Sequence, residues 1–190
     1  MSGVSKGSSV EDLAAAAHAI ASRDLRSGII AVDGPSGAGK STFADALAAR
    51  LSALGRRALL IRTDYYATWD DPAGWWPELE RDVLAPFRRS HDISHHPRIW
   101  IDGVPHAGPA ELVHWAPLLI IEGVTAARQA IADRLTHAFW LDGPPAEERL
   151  ARTVARDGED QRPNLAAWQH FEDGWFAVDG TRRRCEVVPV

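Results

Sequence analysis

Residues Gly34-Pro35-Ser36-Gly37-Ala38-Gly39-Lys40-Ser41 fit the pattern G-x-x-x-x-G-K-[ST] without a substitution. The apolar run at residues 29–33 before this stretch is typical of a buried strand, and residues 41–54 after it repeat apolar side chains at helical spacing. A glycine-rich loop between a strand and a helix can cradle phosphate, because its backbone N–H groups point inward and the helix N-terminus adds positive potential. The stretch therefore predicts a phosphate-binding loop.

The residue types in this loop suit the binding of ATP together with Mg²⁺. Lys40 has the length and charge to reach the β- and γ-phosphates, and the Ser41 hydroxyl can hold Mg²⁺. The predicted nucleotide-binding residues are Gly34, Ser36, Gly37, Ala38, Gly39, Lys40, Ser41 and Thr42. The alternative is a glycine-rich turn that binds nothing, and the matching strand and helix on either side argue against it.

Length and composition set the class of protein. A chain of 190 residues is long enough for one domain with a full core, and a net charge of −5 argues against nonspecific binding to nucleic acid or membranes. The single cysteine, Cys185, cannot form an internal disulfide and is interpreted as structural. Because the chain also lacks an 18-residue apolar run and an N-terminal signal sequence, we expect a cytoplasmic protein without a membrane span.

Short apolar runs alternate with helical segments along the chain, which predicts a P-loop NTPase-type α/β fold with a parallel sheet and helices on both faces. The predicted strands are residues 29–33, 58–62, 118–121, 137–141 and an edge strand at 186–188. The predicted helices are residues 10–25, with a capping box from Ser8 to Glu11, 41–54, 78–85, 126–135, 144–157 and 165–178. Residues 1–9 are predicted to be a disordered tail and residues 10–190 a single domain, in which residues 90–117 form an insertion with short strands at 98–101 and 111–115.

Acidic residues end four of the predicted strands: Asp33, Asp64, Glu122 and Asp142. Ligands of open α/β sheets lie beyond the carboxyl ends of the strands. A Mg²⁺-dependent phosphoryl transfer needs carboxylates near Ser41 and a base that accepts a hydroxyl proton, and Asp64 and Glu122 are placed for these tasks. The alternative is that these acids only cap helices or face solvent at strand ends.

Four segments, in order, resemble the uridine kinase-like branch of the P-loop kinases, which also contains phosphoribulokinase and bacterial pantothenate kinase. The segments are Gly34–Ser41, similar to the family phosphate loop; Thr63-Asp64-Tyr65-Tyr66, similar to its D-x-[FY]-Y segment; residues 119–124, similar to its apolar strand ending in Glu-Gly-[ILV]; and residues 149–157, similar to its lid helix R-L-x-R-R-x-x-R-D. The matches run from residue 29 to about residue 157.

This resemblance implies a role for each matched residue in an ATP-dependent kinase. Asp64 would be the catalytic base, and Glu122 would help Ser41 to hold Mg²⁺, with Asp64 as a further candidate ligand. Arg149, Arg152 and Arg156 would close over the phosphates as part of a helical lid at about residues 145–163, and Lys40 would act with them. A purely solvated helix face with pairs of opposite charge is the alternative interpretation of these arginines.

The acceptor of the phosphoryl group is less well defined than the chemistry. The resemblance implies a nucleoside, but pantothenate-like, sugar or sugar-phosphate acceptors stay open, since Thr153 replaces the second lid arginine and Ala67 follows Tyr66 where a polar segment is usual. The predicted acceptor-binding residues are Tyr65, Tyr66, Trp69 and Arg98. Trp69, Trp75 and Trp76 either line an acceptor pocket or form a small satellite core.

Other protein classes fit the sequence less well. A GTPase needs an Asn-Lys-x-Asp segment, but Asn164 is the only asparagine and Lys40 the only lysine beyond Lys6. A motor or transporter ATPase usually ends an apolar strand in Asp, where this chain has Glu122 followed by glycine. A nucleotide-binding regulator without catalysis remains an alternative, as does GTP instead of ATP as the donor. The histidines at positions 91, 95 and 96 are interpreted as loop surface without a transition metal, and the oligomeric state is left open.

Overall fold

A five-stranded parallel sheet forms the centre of the computed structural model, which describes residues 9–101 and 104–188. In these residues the strands are β1 (Gly28–Asp33), β2 (Ala58–Arg62), β3 (Ile93–His95), β4 (Arg98–Ile101), β5 (Val104–Ala107), β6 (Glu111–Val113), β7 (Leu118–Glu122), β8 (Leu135–Trp140) and β9 (Glu186–Val187). The order across the central sheet is β2-β7-β1-β8-β9, and every neighbouring pair is parallel. Strand β7 therefore separates β2 from β1, and β9 forms the edge beyond β8.

Helices cover both faces of this sheet. They are α1 (Val10–Ala21), α2 (Lys40–Ala53), α3 (Trp76–Leu79), α4 (Ala85–Arg88), α5 (Ala146–Asp157), α6 (Arg162–Asp179) and α7 (Thr181–Arg184). On one face Ile30 and Val32 of β1 belong to a core with α1 and α2, and on the other face Ile29 and Ala31 belong to a second core with the α3–α4 segment. The alternating side chains of one strand thus fill two separate cores, which confirms the predicted α/β architecture.

Strands β1 and β7 are buried on both faces, and this explains why they can be recognised in the sequence as continuous apolar runs. In the register of the sheet, Glu122 at the end of β7 pairs with Val32 of β1 on one side and with Arg62 of β2 on the other. The carboxyl ends of these strands therefore bring the phosphate loop, Glu122 and the segment after Arg62 to one edge of the sheet.

Helix α1 begins at Val10, as the sequence predicts, but it ends earlier, at Ala21. Its N-cap is Ser9, which exchanges hydrogen bonds with Asp12, so the capping box lies one residue after the predicted one. At the end of the helix, Ser22 donates both its backbone N–H and its hydroxyl to the carbonyl of His18. The predicted tail is residues 1–9; residues 1–8 lie outside the described residues, and Ser9 is the N-cap of α1.

Two other segments differ from the predicted helices. Residues 123–128 form a turn before a 3₁₀ helix at Gln129–Arg134, and the carboxylate of Asp33 holds this turn by accepting the backbone N–H groups of Thr125 and Ala127. The helix after Pro77 continues past Pro86 to Arg88 instead of ending there. A π-helical turn at Glu80–Leu84 precedes Pro86. This wider turn makes room for the proline ring, which would otherwise clash with the carbonyl four residues earlier.

The insertion beside the sheet is made of two small antiparallel ladders. Strands β4 and β5 form a hairpin, and β3 pairs with β6. The predicted strand at residues 98–101 is confirmed and the one at residues 111–115 ends at Val113, whereas β3 and β5 were not predicted. In the described part of the chain, no helix is long and apolar enough to cross a membrane.

Candidate active site

The phosphate loop joins the end of β1 to the first residue of α2, as the sequence predicts. Its three glycines, Gly34, Gly37 and Gly39, all have positive φ angles. A Cβ at Gly37 would stand about 2.8–3.0 Å from the backbone of Arg149 in α5, so a side chain here would be strained and would also push α5 away. The loop therefore owes its curvature and its close contact with α5 to glycine.

Lys40 is held inside this loop and is only 7% exposed. Its Nζ donates a hydrogen bond of 3.0 Å to the carbonyl oxygen of Pro35. An anion bound by the inward-pointing N–H groups would give the ammonium group a stronger partner than a neutral carbonyl. The geometry thus keeps the positive charge of Lys40 at the loop.

Glu122 lies next to Ser41, as expected for a pair that holds a metal ion. The Ser41 hydroxyl donates to Oε1 of Glu122 over 3.3 Å, and Nε of Arg62 lies 3.5 Å from Oε2. Burial raises the pKa of Glu122 to about 7, a shift that Lys40 and Arg62 oppose and Asp64 reinforces. A nearby cation would stabilise the charged form of this carboxylate.

Among residues 9–101 and 104–188, no group of three or more His, Cys, Asp or Glu side chains could hold a metal ion. Mg²⁺ does not require such a cage, because it usually keeps several waters and is held by one or two carboxylates and the phosphates of a substrate. The hydroxyl of Ser41 and the carboxylate of Glu122 are hard oxygen donors in contact with each other, so they fit Mg²⁺ delivered with a nucleotide.

Asp33 and Asp142, the other acids at strand ends, are used for structure. Asp33 is fully buried and accepts backbone N–H groups from Gly34 at 2.7 Å, Ala127 at 2.8 Å and Thr125 at 3.1 Å. Burial raises the pKa of Asp33 to about 6, against the effect of these hydrogen bonds. Asp142 forms a bidentate ion pair with Arg182 at the surface.

Asp64 lies in a 3₁₀ turn directly after β2, where its exposed carboxylate lines a cavity of about 430 Å³. The cavity has the size of a small-molecule pocket and joins the phosphate loop to the insertion. Its wall is formed by Ser36, Asp64, Ala67, Trp69, Trp100, Arg156, Asp157, Gln161, Leu165 and Trp168. A group bound in this cavity would lie between Ser36 of the loop and the Asp64 carboxylate.

The structure separates the predicted acceptor-binding residues. Trp69 lies in the cavity wall beside Trp100, with ring centroids 5.3 Å apart. Tyr66 is not brought to the cavity: it is 1% exposed, and its hydroxyl lies 2.8 Å from Nδ1 of His95. A tyrosine in an apolar core needs such a partner for its hydroxyl, so its position is explained by packing.

Tyr65 and Arg98 also lie outside the cavity wall. Tyr65 is half-buried beside His95, with ring centroids 6.2 Å apart, and Arg98 donates to Glu78 over 3.2 Å. The remaining tryptophans of the 69–76 loop belong to the core: Trp75 is 4% exposed, and Trp76 lies under the guanidinium of Arg128 at 4.3 Å. Trp69 therefore lines a cavity, whereas Trp75 and Trp76 pack into the core.

The three arginines of α5 face different surroundings. Arg149 is buried beside the phosphate loop, where its Nη1 donates to the carbonyl of Pro144 over 2.9 Å. Arg156 lines the cavity and forms a bidentate ion pair with Asp157. Arg152 points away and pairs with Glu148 one turn earlier, so it behaves as the solvated residue of the alternative interpretation.

The sequence did not reveal Glu172, which contacts the phosphate loop from α6. This side chain has no exposed surface, and its carboxylate accepts the backbone N–H of Ser36 at 3.0 and 3.1 Å and the Ser36 hydroxyl. The available signal was an acid on the aromatic face of a predicted helix, between Phe171 and Trp175. Trp100, Leu165 and Trp168 in the cavity wall were likewise not assigned to a site.

No protein-family model matches the chain, and no curated protein matches it. Solved structures do share its fold. A candidate uridine kinase from Bacillus stearothermophilus is similar at a TM-score of 0.65 and 15% identity, over 93% of this chain and 96% of that one. A candidate fructose transport system kinase from Silicibacter sp. TM1040 is similar at a TM-score of 0.56 and 22% identity, over 86% and 94%. The YGR205w protein is similar at a TM-score of 0.54 and 11% identity, over 82% and 79%.

Proposed function

This chain has the fold of the P-loop kinases, and from that premise we propose that it is a phosphotransferase that moves the γ-phosphoryl group of ATP to a hydroxyl of a small molecule. The observation that carries the proposal is the meeting of three features at one edge of the sheet. These are the phosphate loop with Lys40, the contact between Ser41 and Glu122, and the cavity that exposes Asp64.

The residues of the chain divide the work of such a reaction among them. MgATP, when bound, would supply the phosphoryl group and the Mg²⁺ charge that offsets its negative oxygens. Lys40 would exchange the Pro35 carbonyl for phosphate oxygens, and Ser41 and Glu122 would hold the metal ion. Asp64 would accept the proton of the acceptor hydroxyl, and Arg156, with its charge on the cavity wall, would stabilise the transferred group.

A nucleoside is the acceptor that we propose first, following the resemblance of residues 29–157 to uridine kinases. Trp69 and Trp100 give the cavity flat aromatic walls, on which a base or the apolar face of a sugar can pack. Sugars, sugar phosphates and pantothenate-like alcohols form the second class. A coupled assay of ADP release over a panel of these acceptors identifies the class, because only a bound acceptor with a free hydroxyl raises ADP release above the rate of ATP hydrolysis.

Nucleotide binding itself is tested with Lys40→Met, which keeps the length of the stem and removes the charge. At MgATP concentrations of 100 times Kd the wild type should gain about 2.7 kcal/mol, or roughly 5–10 °C in melting temperature. The variant should lose most of this gain while keeping a cooperative melt without nucleotide. A wild type whose melting temperature does not respond to millimolar MgATP would contradict the proposed function.

A further inference from the structure

The phosphate loop is already contacted by a carboxyl group of the protein itself. Glu172 lies in the middle of α6, without exposed surface, and its carboxylate takes both hydrogen-bond donors of Ser36. Ser36 lies between Pro35 and Gly37 of the loop, and it also lines the cavity. The carboxylate is therefore bound where the loop meets the cavity.

Packing of α6 does not explain an acid at this position. The most buried stripe of α6 runs through Leu165, Gln169 and Glu172, while the aromatic side chains of the helix are only half-buried. Placing a carboxylate in such a stripe costs free energy unless its oxygens are paired. Burial raises the pKa of Glu172, whereas Lys40, Ser36 and Trp168 favour its charged form. The phosphate loop is thus the partner that makes the buried acid tolerable.

A carboxylate at Ser36 and the terminal phosphate of a nucleotide would compete for the same donors. Both are anions, and both are attracted by Lys40, which is the cation that lowers the pKa of Glu172. Two anions in this partly dry site repel each other much more strongly than they would in water. Glu172 must therefore lose its contact with Ser36 before a phosphate can accept hydrogen bonds from Ser36.

We propose that Glu172 is an autoinhibitory anion, which occupies the phosphate loop in the absence of nucleotide and is displaced from Ser36 when nucleotide binds. Displacement would also move α6, and with it Leu165 and Trp168 of the cavity wall. Nucleotide binding would in this way reshape the acceptor cavity before the acceptor enters. The inference rests on the proposed function only in that it takes a nucleotide to be the ligand of the loop.

The test is the Kd for MgATP of the wild type and of Glu172→Gln, measured by titration calorimetry. The amide keeps an oxygen for the Ser36 N–H but removes the charge, so we expect binding about tenfold tighter, the order expected when one like charge is removed. Asp173→Asn is the matched control, because it removes the same charge at the next, exposed position of α6. That control should bind MgATP within about twofold of the wild type.

A variant that binds MgATP as the wild type does, or more weakly, overturns the inference and shows that the carboxylate supports the loop. This outcome would not contradict the proposed kinase function. Conversely, tighter binding by Glu172→Gln, with no acceptor phosphorylated in the panel, supports the inference and removes the proposed function. If neither protein binds MgATP, both fail. Should Glu172→Gln not fold, hydrogen exchange in the wild type decides: added MgATP should raise exchange at residues 165–173, and unchanged or slower exchange there overturns the inference.

Discussion

At the scale of single residues, the strand ends show how position decides the role of a carboxylate. Glu122 ends a strand that has neighbours on both sides, so it is buried and lies against Ser41. Asp64 follows a strand at the edge of the sheet, so it is exposed to the cavity. Asp33 is enclosed by the turn that follows β7 and has become part of the scaffold. Acidic side chains at strand ends thus differ in burial and in partners, and of these three only Asp33 is fully enclosed by backbone N–H groups of the fold.

Asp64→Asn tests the proposed base. The amide is nearly isosteric but cannot accept a proton, so we expect kcat to fall roughly 10²- to 10⁴-fold, the usual contribution of a positioned acid–base group, while MgATP binding is kept. Single-turnover kinetics with an acceptor from the panel measure the step directly. Asp70→Asn, an exposed aspartate that is absent from the cavity wall, serves as the control. A rate for Asp64→Asn within about threefold of the wild type would remove it from this role.

Asp33→Asn tests the structural role of the buried acid. The amide can still accept from Gly34 and Thr125, but its NH₂ group faces the N–H of Ala127, so the variant should lose about 1–3 kcal/mol of stability. The folded pKa of Asp33, about 6, is raised above its unfolded value of 3.8, so its contribution to stability is present below pH 4 and is lost as the pH rises through 6.

The pH dependence of the Asp33 contribution predicts a pH dependence for the effect of Asp33→Asn. Asparagine does not titrate, so Asp33→Asn should destabilise the protein more at pH 4 than at pH 7, by on the order of 2–3 kcal/mol for a shift of about two pKa units. Urea unfolding of both proteins at the two pH values gives the difference directly. A destabilisation that is the same at both pH values, or larger at pH 7, would mean that Asp33 is not held as described.

At the scale of secondary-structure elements, α5 and α6 connect the phosphate loop to the cavity. Helix α5 places Arg149 against the loop at its start and Arg156 on the cavity at its end. Helix α6 returns across the same region and contacts the start of α5 through Gln169, which donates to Ala146. The predicted lid at residues 145–163 is therefore joined to the loop at its start, and the prediction places its movement at the end that carries Arg156.

Arg156→Ala tests this view of the lid. Arg152→Ala, one turn earlier on the same helix, is its control. Removal of a cation from the cavity wall should lower kcat roughly 10- to 100-fold and leave the Kd for MgATP nearly unchanged, since the charge is used in the transition state. Arg152 pairs with Glu148 and should be replaceable with little effect. Equal losses of kcat in the two variants would show that α5 acts only through its total charge.

The strands and helices differ in how well the sequence predicts them. Strands β1, β2 and β7 were predicted because each is an apolar run in the sequence, which can be recognised without knowing which strands lie beside it. The order of the strands was not predicted: β7 with Glu122 lies between β1, which leads into the phosphate loop, and β2, which leads to Asp64. Likewise, the helix predicted at residues 126–135 is a turn followed by a 3₁₀ helix, and the turn is held by the carboxylate of Asp33, which is distant in the sequence.

At the scale of the whole molecule, the candidate active site is assembled from distant parts of the chain. The phosphate loop and Asp64 come from local motifs and were therefore predictable. Trp100 reaches the cavity from the insertion and Trp168 from the C-terminal region, so only the tertiary structure brings them together. Glu172 was missed for the same reason, because nothing in its own helix indicates a partner 136 residues away.

The tryptophan wall of the cavity gives the protein a built-in optical signal. Trp69 lies 5.3 Å from Trp100 and 5.9 Å from Trp168, the latter in an edge-to-face arrangement. Indole rings this close share their excited states, so their near-ultraviolet circular dichroism and their fluorescence depend on the spacing and angle between them. Any acceptor that inserts between these rings, and any shift of α6, therefore changes the emission of the unlabelled protein, and substrate entry can be followed in real time without a dye.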